Sequence, residues 1–169
     1  TDKAWDGNEK GYADITVDGE LKDKISSNEG NISSTTPGWY LMIVTATVEG
    51  RDIKYNVQFN EPNVWLTGTC IGDPDFGELN EAGKFEVPTT QDGDFVSPAI
   101  TDACPGGDDG DGVRVYVKIP GNDWWHSEFL LEGDKISYRG AGGDQKPRLA
   151  CAVGQKMYLN FSTGKGSLK

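Results

Sequence analysis

Between residues 38 and 59 the chain has one conformation open to it. Residues 38–48 run Gly-Trp-Tyr-Leu-Met-Ile-Val-Thr-Ala-Thr-Val, an unbroken series of aromatic, aliphatic and β-branched side chains. Glu49-Gly50-Arg51 supplies a turn, and residues 52–59 then alternate polar and apolar with period two. A strand, a glycine turn and an alternating strand make a β-hairpin. The same punctuation recurs along the chain, so the hairpin sets the pattern for the rest.

Residues 1–10 are polar and read as a frayed start. Residues 12–17 alternate up to Asp18-Gly19, and residues 21–25 suit a short second strand. Residues 26–37, rich in Ser, Asn and Thr, read as a loop. Further strands are expected at 64–70, at 84–87 and 95–100 around Asp92-Gly93, and at 113–119. Residues 125–131 and 135–139 flank Gly133-Asp134 as another hairpin, and 149–153 and 156–162 complete the set. No segment sustains a helical period, and Gly makes up 23 of the 169 residues. The expected fold is all-β: an antiparallel β-sandwich of immunoglobulin-like or carbohydrate-binding-module-like form. It has about ten strands and little or no helix. A faint internal echo accompanies this. Gly38 and Gly154 each precede an apolar strand and then a glycine turn, which fits a duplication or simply the generic strand–turn unit.

The net charge is −11 at pH 7, which repels phosphate backbones and anionic lipid. Neither a nucleic-acid partner nor direct docking on a membrane is expected. No apolar run is long enough to span a bilayer. His126 is the single histidine, which excludes a two-histidine zinc site. Asp108, Asp109 and Asp111 stand in a glycine loop, but their spacing fails the Asp-x-Asp-x-Asp-Gly pattern of a calcium loop. No cofactor and no metal are expected. Cys70, Cys104 and Cys151 allow one disulfide with a free thiol, or three buried thiols.

The densest chemical feature is Asn122-Asp123-Trp124-Trp125-His126-Ser127-Glu128. Neighbouring residues of a strand face opposite ways, so one tryptophan is expected buried and the other exposed. A rigid exposed indole is a platform for the axial C–H bonds of a sugar ring. Arg139, Asp144 and Gln145 follow on the adjacent hairpin and its loop, and carry planar groups suited to paired hydroxyls. Trp39, Tyr40 and Trp65 lie in apolar strands and read as core. Glu128 is the one candidate for a hydrolytic carboxylate, but no motif places a second carboxylate beside it. Gly-x-Ser-x-Gly is absent, so His126 has no nucleophile elbow to serve. The chain is read as not an enzyme. The alternative to sugar binding is a structural or adhesin-like sandwich whose exposed aromatics meet another protein.

Residues 64 onward carry a resemblance. Val64-Trp65-Leu66-Thr67-Gly68 is followed by Phe85, and then by Val113-Arg114-Val115-Tyr116-Val117-Lys118. Next come Asp123-Trp124-Trp125 and Val153-Gly154-Gln155-Lys156-Met157-Tyr158-Leu159-Asn160-Phe161. In that order these segments resemble the SusE/SusF type of outer-membrane lipoprotein of Bacteroidetes. The resemblance implies a β-sandwich module over 62–169, with 11–61 as strands and a hairpin that end a preceding module. It implies non-catalytic binding of a polysaccharide or oligosaccharide at the bacterial cell surface, beside an outer-membrane transporter complex, in a glycan-uptake system. It implies attachment to the outer membrane through a lipid anchor that this chain does not contain. Carried over by position, it nominates Trp124 or Trp125 with Lys118 and Arg139 as ligand contacts.

Overall fold

The computed structural model describes residues 9–107, 112–140, 143–144 and 148–169. They form twelve strands and five short 3-10 turns, with no α-helix among the described residues. The chain divides into two compact units, one up to Glu61 and one from Pro62.

In the first unit β4 (Leu41–Glu49) and β5 (Asp52–Asn60) form the expected hairpin, in unbroken register from Leu41↔Asn60 to Glu49↔Asp52. β1 (Ile15–Asp18) joins the other edge of β5 and runs parallel to it. Two expectations need correction. Residues 12–14 are a 3-10 turn rather than strand, and residues 26–37 are not a loop throughout. β2 (Ile25–Asn28) and β3 (Asn31–Ser34) pair as a second hairpin. Its two-residue turn is Glu29-Gly30, with φ of 51° and 86°. Two successive left-handed residues make the turn whose twist matches paired strands, so polar composition alone misled. Leu21, Ile25, Val57 and Phe59 form the core, with Tyr12, Ile15, Val17 and Tyr40 packed against it. Trp39 is half-buried.

The second unit is a sheet that nearly closes on itself. Its strands are β6 (Val64–Thr67), β7 (Phe95–Val96), β8 (Arg114–Val117) and β9 (Glu128–Glu132). β10 (Lys135–Tyr138), β11 (Met157–Asn160) and β12 (Lys165–Leu168) complete it. The order is β6-β8-β9-β10-β12-β11-β7. Residues 84–86, expected as a strand, instead bridge the two ends of this series. Lys84 pairs with Trp65 of β6, and Glu86 pairs with Val96 of β7. Phe85 N–H donates to Val64 O (2.9 Å) and Glu86 N–H to Val96 O (2.8 Å). The bridge covers both edge strands, which blunts their tendency to pair with other chains. The result is an antiparallel β-sandwich. Val64, Leu66, Phe85, Phe95, Val115, Tyr116, Met157 and Leu159 fill its interior. Trp65 is buried and stacked on Tyr116 (5.8 Å). β12 was not anticipated, because Lys-Gly-Ser-Leu reads as a turn.

Residues 149–153, expected as a strand, make only isolated links: Leu149 O accepts from Val113 N–H (3.0 Å), and a bridge to a second segment is made by Cys151. It exchanges two backbone hydrogen bonds with Cys104 (3.1 and 2.9 Å), and the two side chains form a disulfide. Cys70 is a buried free thiol whose pKa burial pushes up to about 11. It is therefore inert as a nucleophile near neutral pH. A thiol reagent will find nothing in the native protein and a single cysteine after denaturation. Replacing Cys104 and Cys151 by Ala will lower stability by about 2–4 kcal/mol in urea titrations, through the freed loop between them.

Candidate functional site

Residues 120–122 turn the chain out of β8, and Asp123 (φ −66°, ψ 151°) starts a 3-10 turn over Trp124–Ser127. The Ser127 hydroxyl fixes this turn by donating to Val117 O and to Trp124 O (3.1 Å). The strand expected from residue 125 therefore begins only at Glu128. This also corrects the expectation of one buried and one exposed tryptophan. Both are half-buried. Successive side chains of a 3-10 turn diverge by about 120° rather than the 180° of a strand, so both indoles reach the same space.

That space is an open cavity of about 650 Å³ lined by Phe76, Arg114, Trp124, Trp125, Arg139, Gly143 and Asp144. Of the residues nominated from sequence, Trp124, Trp125, Arg139 and Asp144 line it together. Lys118 is not among the lining residues. Its ammonium donates to Glu78 and to the Asn122 carbonyl (2.6 Å). Gln145 lies outside the described residues, as do Asp108, Asp109 and Asp111.

Behind the cavity wall stands a charge cluster. Glu128 has no exposed surface. Arg148 reaches its Oε1 at 2.8 Å, Arg139 its Oε2 at 2.8 Å, and Arg114 its Oε1 at 3.3 Å. The same three arginines meet Asp144 Oδ1, at 2.9 Å from Arg139, 3.1 Å from Arg148 and 3.3 Å from Arg114. Half of the Asp144 side chain is exposed. The Arg139 guanidinium lies 5.3 Å from the Trp125 ring centre, and that of Arg114 lies 5.6 Å from Trp124 and 5.7 Å from Phe76. The wall thus offers indole faces, N–H donors and an exposed carboxylate acceptor side by side. That combination suits a ligand with many hydroxyls, each of which donates and accepts.

Glu128 itself is in no position to protonate a ligand: it is buried and spent on three guanidinium groups. The sequence carried no sign of this role. Arg114 could have been flagged as the charged residue facing the other side of an apolar alternating strand. Phe76, in a segment that reads only as loop, could not.

A sandwich presenting aromatic rings and arginines in an open cleft has the form of a β-sandwich binding module. The family described as SusF/SusE starch specific CBMs (carbohydrate-binding modules) matches residues 63–167. The chain belongs to this family. It is 37% identical over 168 residues to the outer membrane protein SusF of Bacteroides thetaiotaomicron, covering 96% of this chain and 32% of that protein. The crystal structure of SusF from the same organism superposes with a TM-score of 0.79 at 36% identity, covering 96% of this chain and 35% of that one. This chain thus spans about one third of the relative it matches. No helix among the described residues is long and apolar enough to cross a membrane.

Two predictions follow from the charge cluster. Glu128→Gln removes one buried charge and strands its arginines, so it will destabilise the fold by about 3–5 kcal/mol, read by chemical denaturation. The second concerns acid. Burial raises the pKa of Asp144, but the Arg114 hydrogen bond and the charges of Arg114, Arg139 and Arg148 outweigh this and leave it below its usual value of 3.8. A carboxyl depressed in the folded state stabilises above its unfolded pKa, and that contribution fades as pH falls through the folded value. Asp144→Asn will therefore cost stability at pH 7, and the difference from the parent will shrink as pH is lowered below about 4.

Proposed function

We propose that this chain binds an α-glucan or related oligosaccharide without cleaving it, on the outer face of a bacterial outer membrane. The observation that carries this reading is the open cavity in which Trp125 lies beside Arg139 and Asp144. A pyranose ring stacks on an indole, its hydroxyls accept from Arg139 and donate to the exposed oxygen of Asp144. Family membership supports starch as the first ligand to try. That the SusF relative is an outer membrane protein supports the location. Glu128, the acid that a cleavage mechanism would need, is sealed behind the arginines.

In this reading the ligand contacts are Trp124, Trp125, Arg139 and Asp144, with Arg114 added. Lys118 acts from behind rather than on the sugar, and Gln145 stays a candidate on the same loop. A transporter complex in the same membrane is the natural recipient of what such a module holds. Residues 11–61 are read as the end of a preceding module of the same kind. Two features support that: Leu41 and Ile43 follow Gly38 at the spacing at which Met157 and Leu159 follow Gly154, and β4–β5 and β11–β12 are both antiparallel pairs joined by glycine turns. The partly uncovered apolar side chains Met42, Val44, Val48 and Ile53 are what a module's remaining strands would cover.

The test is migration in a native gel cast with starch, together with tryptophan fluorescence during titration with maltoheptaose. The parent will be retarded, with a dissociation constant of roughly micromolar to millimolar order. Trp125→Ala will lose at least about tenfold in affinity with its melting temperature little changed. Absence of retardation on starch and on a broad panel of other polysaccharides would sink the reading. No reducing ends will be released on prolonged incubation.

A further inference from the structure

The three arginines have two carboxylate partners, and these are held in different ways. Glu128 opens β9 and has no exposed surface. Asp144 belongs to no strand, follows Gly140-Ala141-Gly142-Gly143 in the sequence, and lines the cavity with its side chain 51% exposed. It therefore meets the arginines from the cavity, while Glu128 meets them from behind. All three guanidinium groups close on one of its oxygens, Oδ1, at 2.9 Å from Arg139, 3.1 Å from Arg148 and 3.3 Å from Arg114. Planar donors gathered on one carboxylate oxygen have the form of an anion receptor. Here the anion is a side chain of the same protein.

The cluster is short of acceptors even with Asp144 in place. Arg114 Nε and Arg148 Nε are buried and have no hydrogen-bond partner. Without Asp144, three cations would share one buried carboxylate. A hexuronic acid ring keeps the pyranose frame of glucose and carries a carboxylate where glucose has its hydroxymethyl group. Stacked on Trp125, such a ring would bring that carboxylate to arginines whose place for it Asp144 already fills. A hydroxyl donates to Asp144, whereas a second carboxylate at the same spot is repelled.

We propose that Arg114, Arg139 and Arg148 form a carboxylate-binding site, that Asp144 is its built-in occupant, and that this occupancy makes the cavity select neutral sugars over acidic ones. The selectivity rests on the glycan-binding reading of the cavity, and the carboxylate site itself does not. Asp144 has two parts in it: it accepts from the hydroxyls of a neutral sugar, and it denies the arginines to a uronate. Loss of this one charge turns the same cavity toward acidic glycans.

The experiment is calorimetric titration with two probes that share one backbone: maltoheptaose, and maltoheptaose whose primary hydroxyls are oxidised to carboxylates. The parent chain will bind the neutral probe at least about tenfold more tightly than the oxidised one. Asp144→Asn keeps the size of the side chain and removes its charge. It will bind the oxidised probe about tenfold more tightly than the parent does, and added sodium chloride will erode that gain. Its affinity for maltoheptaose will fall about three- to tenfold. Asp144→Glu, which keeps the charge, will go on rejecting the oxidised probe. Asp134→Asn removes the same unit of charge from the turn between β9 and β10 and will leave the parent's selectivity unchanged. A parent that binds maltoheptaose and the oxidised probe equally leaves the glycan reading standing and overturns the role of Asp144. An Asp144→Asn chain that still rejects the oxidised probe overturns it too, as does an equal gain in Asp134→Asn, which would trace the effect to overall charge. If the parent binds neither probe, the glycan reading falls and melting temperatures decide the carboxylate site. Sodium glucuronate, against sodium chloride at the same concentration, will then raise that of Asp144→Asn by more than that of the parent, and equal shifts overturn the site.

Discussion

Glu128, a carboxylate with no exposed surface at the first position of β9, is held between three guanidinium groups. Those groups come from three separate places: Arg114 begins β8, Arg139 follows β10, and Arg148 lies beyond the glycine-rich loop. A lone buried charge of this kind would cost several kcal/mol, and each arginine would be as costly without it. Together they fix one another, because a planar guanidinium that already donates two bonds has little freedom left. The backbone repeats the link, with Arg139 N–H donating to Glu128 O at 2.9 Å. The wall of the cavity is rigid because its far side is an ion cluster rather than an oily core.

That rigidity is what a weak binding site needs. Indole faces and guanidinium planes held in place before a ligand arrives spare the ordering cost that flexible side chains would add. The closed strand series of the second unit supplies the frame. Residues 84–86 join β6 to β7, and the Cys104–Cys151 disulfide ties down the segment that leads from Arg148 to β11. The first unit contrasts with this. Its sheet stops at β4, a nine-residue strand whose Met42, Val44 and Val48 are more than half exposed.

What the sequence revealed follows from which signals are local. The β4–β5 hairpin was legible because its alternation and its glycine turn lie within one stretch of chain. Trp124, Trp125, Arg139 and Asp144 could be nominated together because they fall within about twenty residues and a hairpin folds them back on each other. Non-local features were not legible. β12 has a Gly and a Ser where a strand usually signals itself, and it is a strand only because β10 and β11 pair with it. Phe76 is forty-eight positions from Trp124 and stands in a segment without period. Arg148 carries no local signal of its role, and only the fold shows that it is buried against a carboxylate twenty residues away. The alternation rule failed at the tryptophans because Ser127 and Asp123 support a 3-10 turn there, and nothing in a pair of adjacent indoles distinguishes that turn from a strand.

The charge balance of the site explains how an acidic chain can present arginines to a neutral ligand. Three guanidinium groups face two carboxylates, so the cluster carries a single excess positive charge in a chain of net −11. Long-range attraction plays no part in drawing in an uncharged sugar, and none is built in. The arginines act over hydrogen-bond distance instead. Glu128 accepts from all three guanidinium groups, and those of Arg114 and Arg139 lie over the aromatic rings. Asp144, gathered by all three through one oxygen and half exposed, becomes an acceptor of fixed direction. An isolated arginine at a protein surface would offer donors in every rotamer; clamped from behind, it offers them in one, and a cavity with one arrangement of donors, acceptor and ring faces can tell one pattern of hydroxyls from another.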